Sequence, residues 1–235
     1  MIGARTGAAE RVRARLTVMP QLVVDALLFD LDGTLVDSTA SVERNWLKLA
    51  DKMGVDFADI QDLIHGIPAR QVVPMIEPDA TAARIEELSQ FLLDGESTDT
   101  GDVVAIPGAV AALDGLPTNL WAVVTSGSTR LATARIAAAG LPFPRNLITA
   151  DDVAVGKPDP APYVAGAALL GFPAARCLVF EDAPAGVASA RASGAQILGL
   201  LTTHPDLGDA EGIPTVASFE QVEFSADRLG VIVTY

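Results

Sequence analysis

An apolar run that ends in two carboxylates is the feature that most constrains how this chain folds. Residues 23–29 are apolar except for one aspartate, which is typical of a strand buried on both faces of a parallel sheet. Asp30 and Asp32 follow at once, and both side chains point to the same side if the strand continues through them. Because two like charges at a sheet edge cost stability, the pair predicts a bound divalent cation, and hard oxygen ligands favour Mg²⁺.

Length, charge and cysteine content limit the class of protein. The chain has 235 residues, half of them hydrophobic, which fits one large domain or two unequal ones. The formal net charge of −14 argues against a nucleic-acid partner and an anionic membrane surface, since phosphates are bound by clustered Lys and Arg. No run approaches the ~18 apolar residues of a membrane span. Cys177 has no second thiol to pair with, so we expect a soluble cytoplasmic protein.

Three patterns divide the chain into segments. Residues 1–18 are rich in arginine and lack the apolar segment of a secretory signal, so we expect a disordered N-terminal extension. Residues 19–37 and 103–235 alternate strand and helix patterns, which predicts an α/β core domain with a Rossmann-like, doubly wound parallel sheet. Residues 38–102 show only helical periodicity and predict a small, inserted, all-helical cap domain that closes over the site.

Capping and turn residues predict where the elements begin and end. Residues 23–29 are predicted to form a single strand. In the insert, Asp79 is predicted to cap a helix that Gly95 ends. Short strands over residues 197–201 and 215–216 are predicted to be the last of the sheet.

Polar residues follow four of the predicted strands. These residues are Asp30 and Asp32 after the first strand, Ser126 and Gly127 after the second, Lys157 beyond the third, and Glu181 and Asp182 after the fourth. Each group alone could be an ordinary turn, cap or loop. In a parallel sheet, however, all four groups meet at one edge, where ligands bind, and such a coincidence favours a functional site.

These residue types suit phosphoryl transfer through an aspartyl-phosphate. Asp30 can attack phosphorus when a cation relieves the repulsion between two anions. Asp32 can protonate the leaving alkoxide and then take a proton from the hydrolytic water. Lys157 supplies fixed positive charge near the transferring group. Three further groups can donate hydrogen bonds to phosphoryl oxygens, namely Ser126, Gly127 and Thr34.

The ordered motifs resemble those of the haloacid dehalogenase superfamily. The resemblance is carried by residues 29–38, 124–128, 156–158 and 179–186, and the helical insert corresponds to the cap of that superfamily. Within the superfamily, the chain is similar to the phosphatases of hexitol phosphate, 2-deoxyglucose 6-phosphate and glycerol phosphate. The resemblance therefore implies a phosphatase of small phosphorylated sugars or polyols, and we expect it to be a monomer.

The same resemblance implies a role for each core residue. It makes Asp30 the nucleophile and Asp32 the acid/base, and it makes Ser126 and Lys157 phosphate ligands. The implied ligands of Mg²⁺ are Asp30, the backbone carbonyl of Asp32, and Asp182, with Glu181 beside them.

Two other functions stay open at this point. One is a sugar phosphomutase similar to β-phosphoglucomutase, which carries a cap histidine where alignment on Trp46 puts Val42 in this chain. The other is a phosphoacceptor domain similar to the receiver domains of signalling proteins, which lack an acid/base two residues after the phosphorylated aspartate. In the cap, His65 and Arg70 are predicted to reach the leaving group and select the substrate.

Overall fold

The computed structural model describes residues 19–64, 68–205, 207, 212–227 and 230–235. The strands, in chain order, are β1 Gln21–Val24, β2 Ala26–Phe29, β3 Val36–Asp37, β4 Val104–Ala105, β5 Trp121–Val124, β6 Leu147–Ile148, β7 Cys177–Glu181, β8 Gln196–Leu200, β9 Thr215–Val216, β10 Glu223–Asp227 and β11 Gly230–Thr234. The α-helices are α1 Thr39–Met53, α2 Ala69–Ile76, α3 Ala82–Thr98, α4 Ala109–Asp114, α5 Thr129–Ala138, α6 Ala161–Leu169 and α7 Pro184–Ser193. The N-terminal extension predicted over residues 1–18 lies outside the described residues.

A parallel sheet of six strands is the centre of the core. Its strand order is β6-β5-β2-β7-β8-β9, and every neighbouring pair is parallel. The chain builds outward from β2 to one edge and then returns to build from β7 to the other, which is the doubly wound topology. The predicted fold class is confirmed.

The central strands are apolar because helices cover both of their faces. In β2, Leu27 and Phe29 face one hydrophobic cluster, whereas Ala26 and Leu28 face the other. The Phe29 ring stacks on the Phe180 ring of β7, with the ring centroids 4.8 Å apart. Burying one such side chain contributes about 1.5–3 kcal/mol, so these strands hold the site on a rigid base.

The single strand predicted over residues 23–29 is wrong. The structure divides it at Asp25, which is buried and accepts a 2.7 Å hydrogen bond from Arg176. Before Asp25, β1 pairs antiparallel with β11, which also pairs with β10, in a separate three-stranded sheet. Neither β10 nor β11 was predicted, although Val231 and Val233 are buried at alternating positions, as is typical of a half-buried strand.

The described elements between residues 39 and 98 are α-helices and short 3₁₀ turns. They pack around a hydrophobic cluster of their own, which includes the fully buried Trp46 of α1 and Leu88 of α3. The insert joins the core at a two-stranded antiparallel ribbon formed by β3 and β4. The predicted cap boundaries fall beside this ribbon, and the division into domains stays a prediction.

The predicted ends of α3 are wrong at both termini. The helix begins after Thr81, whose hydroxyl accepts a hydrogen bond from the Arg84 amide, so Thr81 is the cap and Asp79 is not. The helix also continues through Gly95 to Thr98. A Cβ on Gly95 would lie 2.5 Å from Oδ1 of Asn45, so this glycine allows α1 and α3 to pack closely and does not end the helix.

Candidate active site

A cavity of about 390 Å³ lies between the carboxyl edge of the parallel sheet and the helical insert. Eight of the predicted site residues line it, namely Asp30, Asp32, Arg70, Ser126, Gly127, Lys157, Glu181 and Asp182. Thr34 is not among the lining residues, and it is fully buried. His65 lies outside the described residues. The structure therefore brings together residues that are more than 150 positions apart in the sequence.

Lys157 lies at the centre of the charged groups. Its Nζ donates to Oδ1 of Asp30 at 2.6 Å, to Oε1 of Glu181 at 2.7 Å and to the carbonyl oxygen of Val124 at 3.0 Å. An ammonium group has three N–H donors, so all of them are used. Burial lowers the pKa of Lys157, but the carboxylates of Asp30 and Glu181 outweigh burial and raise that pKa above its ordinary value. The lysine is therefore a permanent positive charge.

Glu181, the last residue of β7, is held by four donors. Its Oε1 accepts from Lys157 and from the Tyr163 hydroxyl, which is 2.7 Å away. Its Oε2 accepts from the backbone amides of Asp182 at 3.0 Å and Ala183 at 3.1 Å. A Cβ on Gly186 would overlap this carboxylate, so helix α7 can begin here only with a glycine at that position. The contacts indicate that Glu181 fixes Lys157.

Asp182 follows Glu181 and is held by two threonines. Its Oδ1 accepts from the Thr34 hydroxyl at 2.9 Å, and its Oδ2 accepts from Thr203. Burial raises the pKa of Asp182 to about 7, and the charge of Glu181 adds to the rise. Gly33 has φ +85°, and a Cβ there would overlap the Asp182 carboxylate, so the sharp turn after β2 requires glycine.

Three carboxylates converge at this edge of the sheet. One oxygen each from Asp30, Glu181 and Asp182 lie within 4.8 Å of one another. Burial is the largest cause that raises the pKa of Asp30 well above its ordinary value, and Lys157 lowers it only in part. The single ammonium group of Lys157 therefore faces three carboxyl groups. Their oxygens are the hard ligand atoms that Mg²⁺ prefers. The residues fit a divalent cation, with Asp30 and Asp182 better placed as direct ligands because Glu181 already accepts four hydrogen bonds.

Asp32 has a different environment, although it lies only two residues from Asp30. Its Oδ1 accepts from the Ser38 hydroxyl at 2.8 Å and pairs with Nη1 of Arg135 at 2.8 Å. Nη2 of Arg135 pairs in turn with Oε2 of Glu96, also at 2.8 Å. Burial raises the pKa of Glu96 to about 7, although Arg135 lowers it. The two aspartates of the motif are therefore held by separate groups of charges.

The turn after β5 carries the hydroxyl and amide groups. Ser126 lines the cavity, and its hydroxyl has no hydrogen-bond partner among the described residues. The Gly127 amide donates to the Thr125 hydroxyl at 3.0 Å. Ser128 caps α5 through its hydroxyl. This geometry leaves the Ser126 hydroxyl available to a ligand.

The insert contributes the opposite wall of the cavity. Val42 and Trp46 of α1 are among the lining residues. Arg70 also lines the cavity, but its side chain is 68% exposed and pairs with Glu86 at 2.7 Å. The wall therefore combines apolar surface with an exposed ion pair, because Glu86 lines the cavity as well.

Several residues that hold the site were not predicted. Tyr163 and Thr203 hold Glu181 and Asp182, and neither forms part of a motif. Of Arg135 and Glu96, the sequence gives a weak indication of a structural role for Arg135. Arg135 lies one turn after the buried Leu131, so a charged residue occupies the apolar side of α5, where it needs a buried partner.

Fold and site together define the class of protein, an enzyme with a doubly wound α/β core in which carboxylates and a buried lysine lie at the carboxyl edge of the sheet. The chain belongs to the haloacid dehalogenase-like hydrolases, whose family model matches residues 24–194. It is 43% identical to hexitol phosphatase A of Escherichia coli over 176 residues, which cover 73% of this chain and 80% of that protein. It is 36% identical to glycerol-1-phosphate phosphohydrolase 2 of Saccharomyces cerevisiae over 203 residues, covering 80% and 79%.

A solved structure supports the same assignment. A hydrolase from Pseudomonas syringae superposes with a TM-score of 0.72 at 32% identity, and the match covers 82% of this chain and 91% of that one. The family predicted from the motifs is confirmed, as is the prediction of a phosphoric monoester hydrolase. Among the described residues, no helix has the length and apolar character needed to cross a membrane.

Proposed function

We propose that this protein is a magnesium-dependent phosphatase that hydrolyses phosphate monoesters of small sugars or polyols through an aspartyl-phosphate. The observation that carries the proposal is the separation of Asp30 from Asp32. Asp30 belongs to the cluster of Lys157 and the carboxylate oxygens that could hold a metal ion, whereas Asp32 is held by Ser38 and Arg135. Two carboxylates in unlike environments are suited to unlike roles in one reaction.

The phosphoryl group would be bound by groups of opposite charge. We assign it to Lys157, the free hydroxyl of Ser126 and the amides near Gly127, as the family resemblance implies. Asp30 and Asp182 would hold Mg²⁺, with the Asp32 carbonyl as a further implied ligand. When bound, the metal ion neutralises charge on the nucleophile and on the phosphoryl oxygens.

The chemistry divides between the two aspartates. Oδ1 of Asp30 is bonded to Lys157, and Oδ2 has no hydrogen-bond partner among the described residues, so we assign the attack on phosphorus to Oδ2. As the P–O bond to the alkoxide breaks, Asp32 gives its proton to the alkoxide and becomes a carboxylate. Asp32 then accepts a proton from the water that cleaves the aspartyl-phosphate, which restores both groups.

Cavity size and relatives support a small substrate. A cavity of about 390 Å³ accommodates a ligand of small-molecule size, and the named relatives are phosphatases of hexitols and of glycerol 1-phosphate. We place the sugar or polyol against the wall that Trp46 and Arg70 line, with His65 as a further predicted contact. A phosphomutase is not favoured because the cavity wall carries apolar Val42 where mutases similar to β-phosphoglucomutase have a histidine.

One assay tests the proposal. The protein and Mg²⁺ are incubated with hexitol, glycerol and hexose phosphates, and free phosphate and isomerised product are both measured. We expect many turnovers of phosphate release, no release without a divalent cation, and none from Asp30→Asn. Isomer formed without phosphate would establish a mutase, and a stable stoichiometric phosphoprotein would establish a phosphoacceptor.

A further inference from the structure

We propose that Arg135 is a positioning residue that orients Asp32 for proton transfer, and that Glu96 of the helical insert fixes Arg135 in place. The inference rests on the proposed function, because it assigns Asp32 the role of acid/base. It adds two residues that the motifs do not contain. It also makes the acid/base depend on a contact between core and insert.

The contacts of Arg135 show how it is held. It lies on α5, and its side chain is 4% exposed. Nη1 binds Asp32 and Nη2 binds Glu96, each at 2.8 Å, while Nε is buried and has no hydrogen-bond partner among the described residues. A guanidinium is planar and rigid, so two carboxylates at its two ends fix both its position and its plane.

The contacts of Asp32 show how the fixed Arg135 orients its carboxyl group. Both of its donors, Ser38 and Arg135, bind Oδ1. Oδ2 has no hydrogen-bond partner within the described part of the chain, and Asp32 lines the cavity. Two donors on one oxygen oppose rotation of the carboxyl group, so the oxygen left to carry the proton is always the same one. A proton donor acts only when it is within hydrogen-bond reach of the leaving oxygen.

Burying Glu96 beside Arg135 carries a large desolvation cost. Its side chain is only 7% exposed, and moving a carboxylate and a guanidinium out of water costs several kcal/mol for each ion. Buried ion pairs are therefore weak stabilisers, and apolar residues would fill the same space at lower cost. Because Glu96 lies on α3 of the insert and Arg135 on α5 of the core, the pair fixes Arg135 against both parts of the protein.

The same two helices carry a second ion pair that serves as a matched control. Arg130 of α5 binds Asp94 of α3 at 2.5 Å, with the side chains 51% and 56% exposed. Neither residue contacts Asp32. Removing this pair weakens the junction of α3 and α5 without changing the hold on the acid/base.

The test compares two phosphate esters that differ in their need for a proton. An alkyl ester such as a hexitol phosphate must have its leaving oxygen protonated, whereas p-nitrophenyl phosphate loses a stable phenolate. The quantity measured is the ratio of kcat/KM for the alkyl ester to kcat/KM for the aryl ester, in the full-length protein with Mg²⁺. Loss of proton donation lowers this ratio. A general loss of folded, active protein lowers kcat/KM equally for the two esters and leaves the ratio unchanged.

The variants are Arg135→Gln, Arg135→Lys and Glu96→Gln, with Asp94→Asn as control. We expect Arg135→Gln to lower the ratio by about 10- to 100-fold, because a misplaced catalytic group costs up to about 100-fold in rate. Arg135→Lys keeps the charge without the planar fork, so it should restore part of the ratio. Glu96→Gln should lower the ratio by less, and Asp94→Asn should leave it unchanged.

Each outcome has one meaning. Equal losses on both esters in Arg135→Gln and Glu96→Gln would overturn the inference and leave the proposed function standing. If Arg135→Gln does not fold, as judged by circular dichroism, Glu96→Gln decides, and an unchanged ratio there overturns the inference. A wild-type protein that hydrolyses neither ester would overturn the proposed function itself.

Discussion

Two groups of charged and polar residues, centred on aspartates that are two positions apart along the chain, are built in different ways. The group around Asp30 consists of core residues alone, since Lys157, Glu181 and Asp182 all lie at or beyond the carboxyl ends of strands of one sheet. The group around Asp32 consists of Ser38, Arg135 and Glu96, and one member lies on a helix of the insert. The first group is fixed whenever the sheet is folded, whereas the second is complete only when insert and core are in contact.

The largest expected effect separates the two aspartates. Asp30→Asn removes the proposed nucleophile, and we expect kcat to fall on the order of 10⁴-fold or more for both alkyl and aryl phosphates. Asp32→Asn should impair alkyl phosphates far more than p-nitrophenyl phosphate. Phosphate release measured with both esters checks this, and parallel losses in the two variants would contradict the division of roles.

The next largest effect is expected when the group around Asp30, called the first group, loses its positively charged lysine. Lys157→Met leaves Asp30 and Glu181 without their partner, and breaking a buried pair costs about 3–5 kcal/mol. Urea unfolding at pH 8 measures the change in the free energy of unfolding. The matched control is Lys48→Met, because that side chain is 57% exposed and should cost no more than about 1 kcal/mol. Similar losses in both variants would contradict the structure of the site.

Glu96 should make stability depend on pH. Burial raises its pKa from 4.5 to about 7, so between these values the folded protein binds more protons than the unfolded one, and the free energy of unfolding falls as pH rises. Glu96→Gln cannot titrate. Without metal, the variant should therefore gain about 1–3 kcal/mol relative to the wild type between pH 5 and pH 8. Denaturant unfolding at both pH values checks this, and a constant difference would refute it.

The smallest effect concerns metal binding to the first group. Burial raises the pKa of Asp182 to about 7, and a metal ion requires the ionised carboxylate. The apparent affinity for Mg²⁺ should therefore rise by about tenfold or more per pH unit below pH 7. Calorimetric titration between pH 5.5 and pH 8.5 measures this, and affinity that does not change with pH would remove Asp182 from the ligand set.

The two groups also differ in how far the sequence predicts them. In the first group, Asp30 and Asp182 directly follow β2 and β7, and Glu181 ends β7, so local patterns reveal both the strand and its polar end. Lys157 lies in the loop after β6. Arg135 and Glu96 are 39 positions apart and lie on separate helices, and only the packing of α3 on α5 brings them together. Sequence periodicity shows which side of each helix is buried, but it does not show which helix will face it.

Two of the errors in the fold have the same origin. Asp25 divides the predicted first strand because it pairs with Arg176, 151 positions away. Gly95 lies inside a helix because Asn45 occupies the space beside it. Gly95 carries the local signal of a helix end, and a distant partner reverses its meaning. Asp25 lies within an apolar run, and a distant partner divides that run. Neighbours along the chain reveal neither of these contacts across the fold.

The full set of bonds on Lys157 has a consequence for turnover. All three of its protons are already taken by Asp30, Glu181 and Val124, so an incoming anion gains one only when an existing acceptor gives it up. In the proposed mechanism, formation of the aspartyl-phosphate would change the Asp30 carboxylate into a mixed anhydride, which is a poorer acceptor, and a proton of the lysine would then become free for the phosphoryl oxygens. Inorganic phosphate would meet a regenerated Asp30 and would have to compete with it. We therefore expect the product to be released easily and accumulated phosphate to inhibit only weakly.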